Sequence, residues 1–184
     1  MKRKVIAVTG GIGSGKSEVC AILRDLGWKT VDCDQLARQV ADDPTVISEV
    51  ANLLGSQYVT NGVIDRKKVR ETVFNNSEIL QKYNAIFFER IRDRLSEIVA
   101  QTAGTLFVEI AVIDAFDFPF DEIWLVECDE QTRIERVTAR DKVSAENVLG
   151  IVSNQHYGDG YALAIINNGD LAYLRQQVLD ALYR

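Results

Sequence analysis

Proline and histidine are scarce in this 184-residue chain: there are two prolines, Pro44 and Pro119, and one histidine, His156. Average usage of about 5% would place roughly nine prolines in it. No Pro- or Ser-rich linker divides the chain, so it reads as one domain, a size at which roughly 70% of the unfolded surface can be buried. A lone histidine, set in the turn-like His156-Tyr157-Gly158-Asp159-Gly160, supplies no metal cluster. The three cysteines, Cys20, Cys33 and Cys128, include no C-x-x-C pair, which excludes the common zinc and redox motifs and favours a reduced, cytoplasmic setting. No apolar run approaches the eighteen or so residues of a membrane span. The basic Met1-Lys2-Arg3-Lys4 is followed by an apolar run of only Val5 to Val8, so neither a signal peptide nor a membrane partner is expected. Basic residues are outnumbered, 21 against 27 acidic, for a net charge of −6. That balance argues against nucleic acid as a partner and leaves local binding of a small anion open.

What is present is an alternation of short apolar strands and helices. Val5-Ile6-Ala7-Val8 reads as a strand buried on both faces, Ser17–Leu26 as a helix stopped by Gly27, and Lys29–Val31 as a second strand. From Gln35 to about Ala100 the pattern is helical, over Leu36–Val40, Val46–Leu54, Arg66–Phe74 and Ser77–Ala100, with a turn at Gly62. Strands return at Leu106–Ile113, Ile123–Val126 and Ala162–Ile166. Between and after them come helices at Gln131–Arg140, Ser144–Asn154 (with Ser144 as N-cap) and Leu171–Leu182. The economical assembly is a doubly wound α/β sheet with a helical insertion: a core of about 1–34 and 104–184, an insert of about 35–103, and a charged segment of about 131–156.

The strongest local signal is Gly10-Gly11-Ile12-Gly13-Ser14-Gly15-Lys16-Ser17, which satisfies G-x-x-x-x-G-K-[ST] between a strand and a helix. Glycines let successive N–H groups converge on phosphate oxygens, and the helix adds the positive end of its dipole. In this pattern Lys16 reaches the β- and γ-phosphates of ATP and the Ser17 hydroxyl holds Mg²⁺. Glycines before a helix also make plain tight turns, but the flanking strand and helix favour a nucleotide site. The loop alone leaves water, a protein hydroxyl and a small-molecule hydroxyl open as acceptors.

After the second strand comes Val31-Asp32-Cys33-Asp34-Gln35-Leu36-Ala37-Arg38. Strand ends gather on the sheet edge that carries the phosphate loop, and a carboxylate there can take the proton of an acceptor hydroxyl. Either aspartate can equally cap the following helix. Further on, Arg133, Arg136 and Arg140 recur at helical spacing on one face, suited to neutralising charge on a transferred phosphoryl group or to pairing with Glu135 and Asp141.

The stretch VTGGIGSGKSEVCAILRDLGWKTVDCDQLARQV resembles the start of the dephospho-CoA kinase family. Ile64-Asp65-Arg66, Val73-Phe74, Gln155 and Asn168-Gly169 extend the likeness over most of the chain. The resemblance implies a P-loop three-layer α/β/α fold, transfer of phosphoryl from ATP to the ribose 3′-hydroxyl of dephospho-CoA, Mg²⁺ as cofactor, an insert of about 35–103 that receives the CoA moiety, and a lid of about 131–156. It implies Lys16, Asp34 and Arg140 as catalytic, with Asp34 as base. Gly11, Ile12, Gly13, Ser14, Gly15, Lys16, Ser17, Glu18, Arg140 and Asn168 would bind nucleotide, and Asp34, Arg92 and Glu109 the acceptor side. Ser17 would hold the metal and Glu109 would reach it through water.

The chain departs from that family at several places. Glu18 replaces a second hydroxyl, Phe88-Glu89 a histidine-proline pair, Glu109-Ile110-Ala111-Val112-Ile113 a proline-leucine-leucine segment, and Ala162-Leu163 an alanine-aspartate. These changes fall mainly on the acceptor side, where the missing prolines and histidine would have stood. They leave two rival readings beside the kinase of dephospho-CoA: a P-loop kinase of another small hydroxyl compound, and an ATP-binding protein that has lost turnover.

Overall fold

The computed structural model describes residues 3–73, 76–111, 113, 116–142, 144–152 and 160–184. The expectations placed on Phe74, Val112, Gln155 and His156, and the end of the helix expected to Asn154, lie outside these residues. The chain divides into two compact units, Met1–Asp32 with Thr102–Arg184, and Cys33–Gln101.

The first unit holds a parallel five-stranded sheet. Its strands are β1 (Lys4–Gly10), β2 (Lys29–Asp32), β5 (Thr105–Glu109), β6 (Glu122–Glu127) and β7 (Leu163–Ile166), and their order across the sheet is β2-β5-β1-β6-β7. The chain leaves central β1 toward one side and later returns to its other side, so the end of β1 is a topological switch point, where such sheets bind ligands. Helices α1 (Lys16–Asp25) and α8 (Leu171–Leu182) cover one face. Val19, Cys20, Ile22 and Leu23 of α1 and Leu174 and Val178 of α8 are buried with Ile6, Val8, Phe107, Trp124, Val126 and Ile165 of the strands. Trp28, Phe107 and Trp124 continue edge to face through this core, with ring centroids 5.8 and 5.0 Å apart. The alternate residues Val5, Ala7, Leu106, Val108 and Leu125 are also buried. Burial on both faces is why these strands read as continuous apolar runs rather than alternating ones. Helices α6 (Glu130–Asp141) and α7 (Ala145–Val152) pack on each other through Val137, Val148 and Val152.

β5 ends at Glu109, four residues short of the strand expected to Ile113. At this end Glu109 pairs with Val8 of β1 on one side and with Asp32, the last residue of β2, on the other, and the chain turns into a helix at Cys33. Ile110 still donates its N–H to Val8 O at 3.0 Å, whereas on the other side β2 has already ended at Asp32.

Cys33–Gln101 is helical: α2 (Cys33–Ala41), α3 (Pro44–Leu54), α4 (Arg66–Val73) and the 25-residue α5 (Ser77–Gln101). Leu36, Val40, Val46, Val50, Val69, Phe87, Ile91 and Leu95 form its buried positions. Asp43 caps α3 by accepting from Thr45 N at 2.8 Å, with Pro44 at the first helical position. A small antiparallel hairpin, β3 (Val59–Thr60) and β4 (Val63–Ile64), interrupts the helices. Its Asn61-Gly62 turn has φ of 51° and 75°, the pair of left-handed residues that a two-residue hairpin needs. Only the turn at Gly62 was expected from the sequence. Among the described residues no helix is long and apolar enough to cross a membrane.

Candidate active site

The phosphate loop runs from the end of β1 into α1, at the carboxyl edge of the central strand. Gly13 and Gly15 have φ of 76° and 98°, in the left-handed region that glycine adopts without strain. Both are also sites of close approach. A Cβ on Gly13 would lie 2.8 Å from Arg133 O and one on Gly15 would lie 2.0 Å from Asn167 Nδ2. Lys16 Nζ donates to Gly10 O at 2.8 Å and Gly11 O at 3.0 Å, which holds its ammonium over the loop. Gly15 O accepts from the N–H groups of Glu18 and Val19, starting α1 at the loop's end.

Ser17 Oγ donates to Glu109 Oε1 at 2.5 Å. Glu109 ends β5 beside Asp32, so strand order brings its carboxylate to the start of α1. Beneath them Cys20 is buried, and desolvation, reinforced by the charge of Glu109, pushes its thiol far up. The thiol stays protonated, and its hydrogen bond to Glu109 adds to that effect.

Helix α6 lies against the loop. Asp129 caps it by accepting from Thr132 N at 3.0 Å, and this bond holds the Asp129 carboxyl below the usual carboxylate range. The three arginines of α6 have different surroundings. Arg133 is buried and its Nε donates to Ile12 O at 3.0 Å. Arg136 Nη1 lies 3.5 Å from Cys128 Sγ and faces Gly15. Arg140 is mostly exposed and bidentate to Asp141, with both contacts at 2.7 Å. That pairing holds the Asp141 carboxyl below the usual range.

The turn after β7 supplies two asparagines. Asn168, expected at the nucleotide, accepts from Asp129 N through Oδ1 at 2.9 Å and so fastens the start of α6. Asn167, which sequence reasoning passed over, is buried and donates from Nδ2 to Ser14 O at 2.8 Å. Beside the loop opens a cavity of about 320 Å³ lined by Gly15, Glu18, Arg136, Asn167, Gly169, Asp170, Leu171 and Leu174. The first unit thus gathers Gly11 to Glu18, Glu109 and Asn168 around one loop, with Arg140 at the far end of α6.

Asp34 and Arg92 belong to Cys33–Gln101. Asp34 stands in the first turn of α2, where its charge favours the helix N-terminus. A second cavity of about 320 Å³ in this unit is lined by Arg66, Arg70, Tyr83, Asn84, Phe87, Phe88 and several aliphatic side chains. Its lining along α5 ends at Ile91, and Arg92 is half-buried next to it.

A family model described as CoaE, dephospho-CoA kinase, matches residues 4–170 of the chain. The chain belongs to the dephospho-CoA kinase family. Curated relatives bearing that family name include one from Hydrogenovibrio crunogenus, 35% identical over 83% of this chain and 81% of its own length. Another, from Streptococcus agalactiae serotype III, is 33% identical over 98% of both chains. Among solved structures, TT1252 from Thermus thermophilus superposes with a TM-score of 0.89 at 28% identity, covering 100% of this chain and 97% of that one. The dephospho-CoA kinase of Campylobacter jejuni superposes at 0.70 with 22% identity, over 99% of this chain and 96% of that one, a likeness of fold. Shikimate kinase from Acinetobacter baumannii, at 0.55 and 16%, shares the P-loop kinase fold more distantly, over 99% and 94%. The family's members are enzymes that complete coenzyme A synthesis, and the three-layer α/β/α fold implied by resemblance is the fold found.

Proposed function

We propose that this chain transfers the γ-phosphoryl group of ATP to the ribose 3′-hydroxyl of dephospho-CoA, giving coenzyme A. One observation carries the reading: a phosphate loop with Lys16 poised over its carbonyls and Ser17 against Glu109, in a chain that the family matches from residue 4 to 170.

Backbone N–H groups between Gly11 and Ser17 cradle the phosphates of ATP, and Lys16 exchanges its two carbonyl partners for phosphate oxygens. The cavity beside Gly15 takes the nucleoside end, with Arg136 and Glu18 at its polar wall and Leu171 and Leu174 at its apolar one. Asn168 contributes by fixing the start of α6 at that cavity. The donor set at the loop's end fits Mg²⁺: a hydroxyl and a carboxylate are hard oxygen ligands, Ser17 binding directly and Glu109 through water. When bound, the ion offsets the negative charge of the β- and γ-phosphates. Asp34 accepts the proton of the 3′-hydroxyl as its oxygen bonds to phosphorus and the bond to the β-phosphate oxygen breaks. Arg140 adds positive charge toward the transferred group when it releases Asp141. On the acceptor side, Arg66 and Arg70 suit the pyrophosphate of dephospho-CoA, and Tyr83, Phe87 and Phe88 suit its apolar arm. Arg92 backs that wall. The three cysteines are free, which suits a reduced cytoplasm.

Incubation with ATP, Mg²⁺ and a panel of hydroxyl acceptors, read by product mass, tests the reading. A gain of one phosphate on dephospho-CoA is expected. ATP consumption with other acceptors and no coenzyme A would reduce the assignment to one of fold.

A further inference from the structure

We propose that Arg133 and Asn167 are positioning residues that hold the phosphate loop in its anion-binding shape, each by drawing one loop carbonyl outward. The inference rests on the proposal that this loop receives the phosphates of ATP.

The argument starts from the peptide unit. A trans peptide is planar, and its C=O and N–H point in opposite directions. The carbonyl of Ile12 shares its peptide with the N–H of Gly13, and the carbonyl of Ser14 shares its peptide with the N–H of Gly15. Arg133 Nε anchors the first carbonyl at 3.0 Å and Asn167 Nδ2 anchors the second at 2.8 Å. Each anchor therefore turns the paired N–H away from itself. Both anchors are buried, at 9% and 4% exposure, so their bonds are shielded from competing water. Neither peptide could be held this way with a side chain on the following residue. A Cβ at Gly13 would strike the backbone of Arg133, and one at Gly15 would strike the amide of Asn167.

The anchors are themselves fixed. Asn167 N donates to Glu127 O at 2.8 Å, which ties it to the end of β6. Arg133 N donates to Asp129 O, and Asp129 N is held by Asn168 Oδ1 at 2.9 Å. The two clamps share one support, the turn after β7. A loop set before ATP arrives loses less conformational entropy on binding than one that must be ordered by it. The position of Arg133 Nε carries a chemical corollary. Nε is separated from Cα by the same number of bonds as the amide nitrogen of glutamine. A glutamine at 133 can thus donate to Ile12 O without any charge.

The test uses the full chain, with ATP affinity by calorimetry in the presence of Mg²⁺, steady-state kinetics with dephospho-CoA, and a melting curve. Arg133→Met and Asn167→Ala are expected to weaken ATP binding at least tenfold and to raise KM for ATP, with KM for dephospho-CoA changed less than threefold. Arg133→Gln should bind ATP at least fivefold more tightly than Arg133→Met. Asn167→Asp, of the same shape but with an oxygen facing the Ser14 carbonyl, should be as weak as Asn167→Ala while still melting cooperatively. An Arg133→Gln variant as weak as Arg133→Met would overturn the proposal, since charge and not the bond would then matter. So would ATP affinity unchanged in Asn167→Asp, the variant that decides if Arg133→Met does not fold. Wild-type protein that binds ATP but makes no coenzyme A would sink the acceptor assignment while these affinities still decide the clamp. Wild type that binds no ATP would remove both.

Discussion

Ser17 and Glu109 meet at 2.5 Å although they are 92 residues apart in sequence, one opening α1 and the other closing β5. Parallel pairing of β5 with both β1 and β2 delivers the carboxylate to this point. Glu109→Gln keeps an oxygen for the Ser17 hydroxyl and removes the charge. The expected outcome is a Mg²⁺ requirement raised at least tenfold, with kcat at saturating Mg²⁺ reduced less, because Glu109 is proposed to act on the ion through water. A titration of rate against Mg²⁺ checks this; an unchanged half-saturating concentration would place the metal elsewhere.

Gly10 and Gly27 both have positive φ, 148° and 87°, but only one of them is crowded. A Cβ at Gly10 would lie 2.2 Å from Val126 O on the neighbouring strand, whereas nothing lies within 4 Å of one at Gly27. Gly27→Ala should therefore cost only the conformational penalty of about 1 kcal/mol. Gly10→Ala adds a backbone clash that cannot rotate away and should cost about 3 kcal/mol or more. Denaturant midpoints of the two variants compare them directly, and equal losses would contradict the close approach of β1 and β6.

Glu122 joins three elements of the first unit: it pairs with Lys4 and Arg184 and accepts from Trp124 Nε1 at 3.2 Å. The Lys4 hydrogen bond holds its carboxyl below the usual glutamate value. A carboxyl depressed in the folded state contributes stability that is complete above the unfolded value, near 4.5, and is lost as pH falls through the lower folded one. Glu122→Gln should thus destabilise by a roughly constant amount, about 1 kcal/mol or less for a partly exposed pair, from pH 7 down to 5. The gap from wild type should close below pH 4.5, which urea midpoints between pH 3 and 7 would reveal.

Features that the sequence made legible are those whose partners lie close along the chain. The phosphate loop compresses eight residues into one motif between a strand and a helix, whereas the caps at Asp43 and Asp129, which the sequence reading did not assign, start their helices at Pro44 and Glu130, ahead of the apolar positions that had marked them. Arg133 and Asn167 were not legible as loop anchors because their partners lie 121 and 153 residues away, and helical spacing could not tell a buried arginine from an exposed one. The same spacing put Arg140 on a face with Arg133, yet its guanidinium is taken by the adjacent Asp141. The end of β5 was misjudged for a related reason. Ile110 to Ile113 are apolar enough for a strand, but β2, the neighbour on one side, has already ended at Asp32. The Asn61-Gly62 hairpin, by contrast, carried a local signal that the helical reading of its surroundings obscured.

Two residues of Cys33–Gln101 should separate binding of the acceptor from its chemistry. Phe88 is half-buried and lines the cavity with Phe87 and Tyr83, whose rings lie 4.9 Å apart. Losing one ring from such a wall removes apolar contact worth on the order of 1–2 kcal/mol. Phe88→Ala should accordingly raise KM for dephospho-CoA roughly tenfold, since 1.4 kcal/mol is a factor of ten, with kcat and KM for ATP little changed. Asp34→Asn should show the opposite split, because an amide keeps the volume and the helix start but cannot take a proton. Its kcat should fall at least a hundredfold, a typical contribution of a positioned base, while KM for ATP moves little. Introducing the family's histidine-proline pair in place of Phe88-Glu89 is a poorer probe, as proline inside α5 would remove a helical hydrogen bond at about 3 kcal/mol. Steady-state constants for the two single variants decide the matter: equal kcat in Asp34→Asn would leave that residue as a charge in the first turn of α2, and an unmoved acceptor KM in Phe88→Ala would take dephospho-CoA out of this cavity.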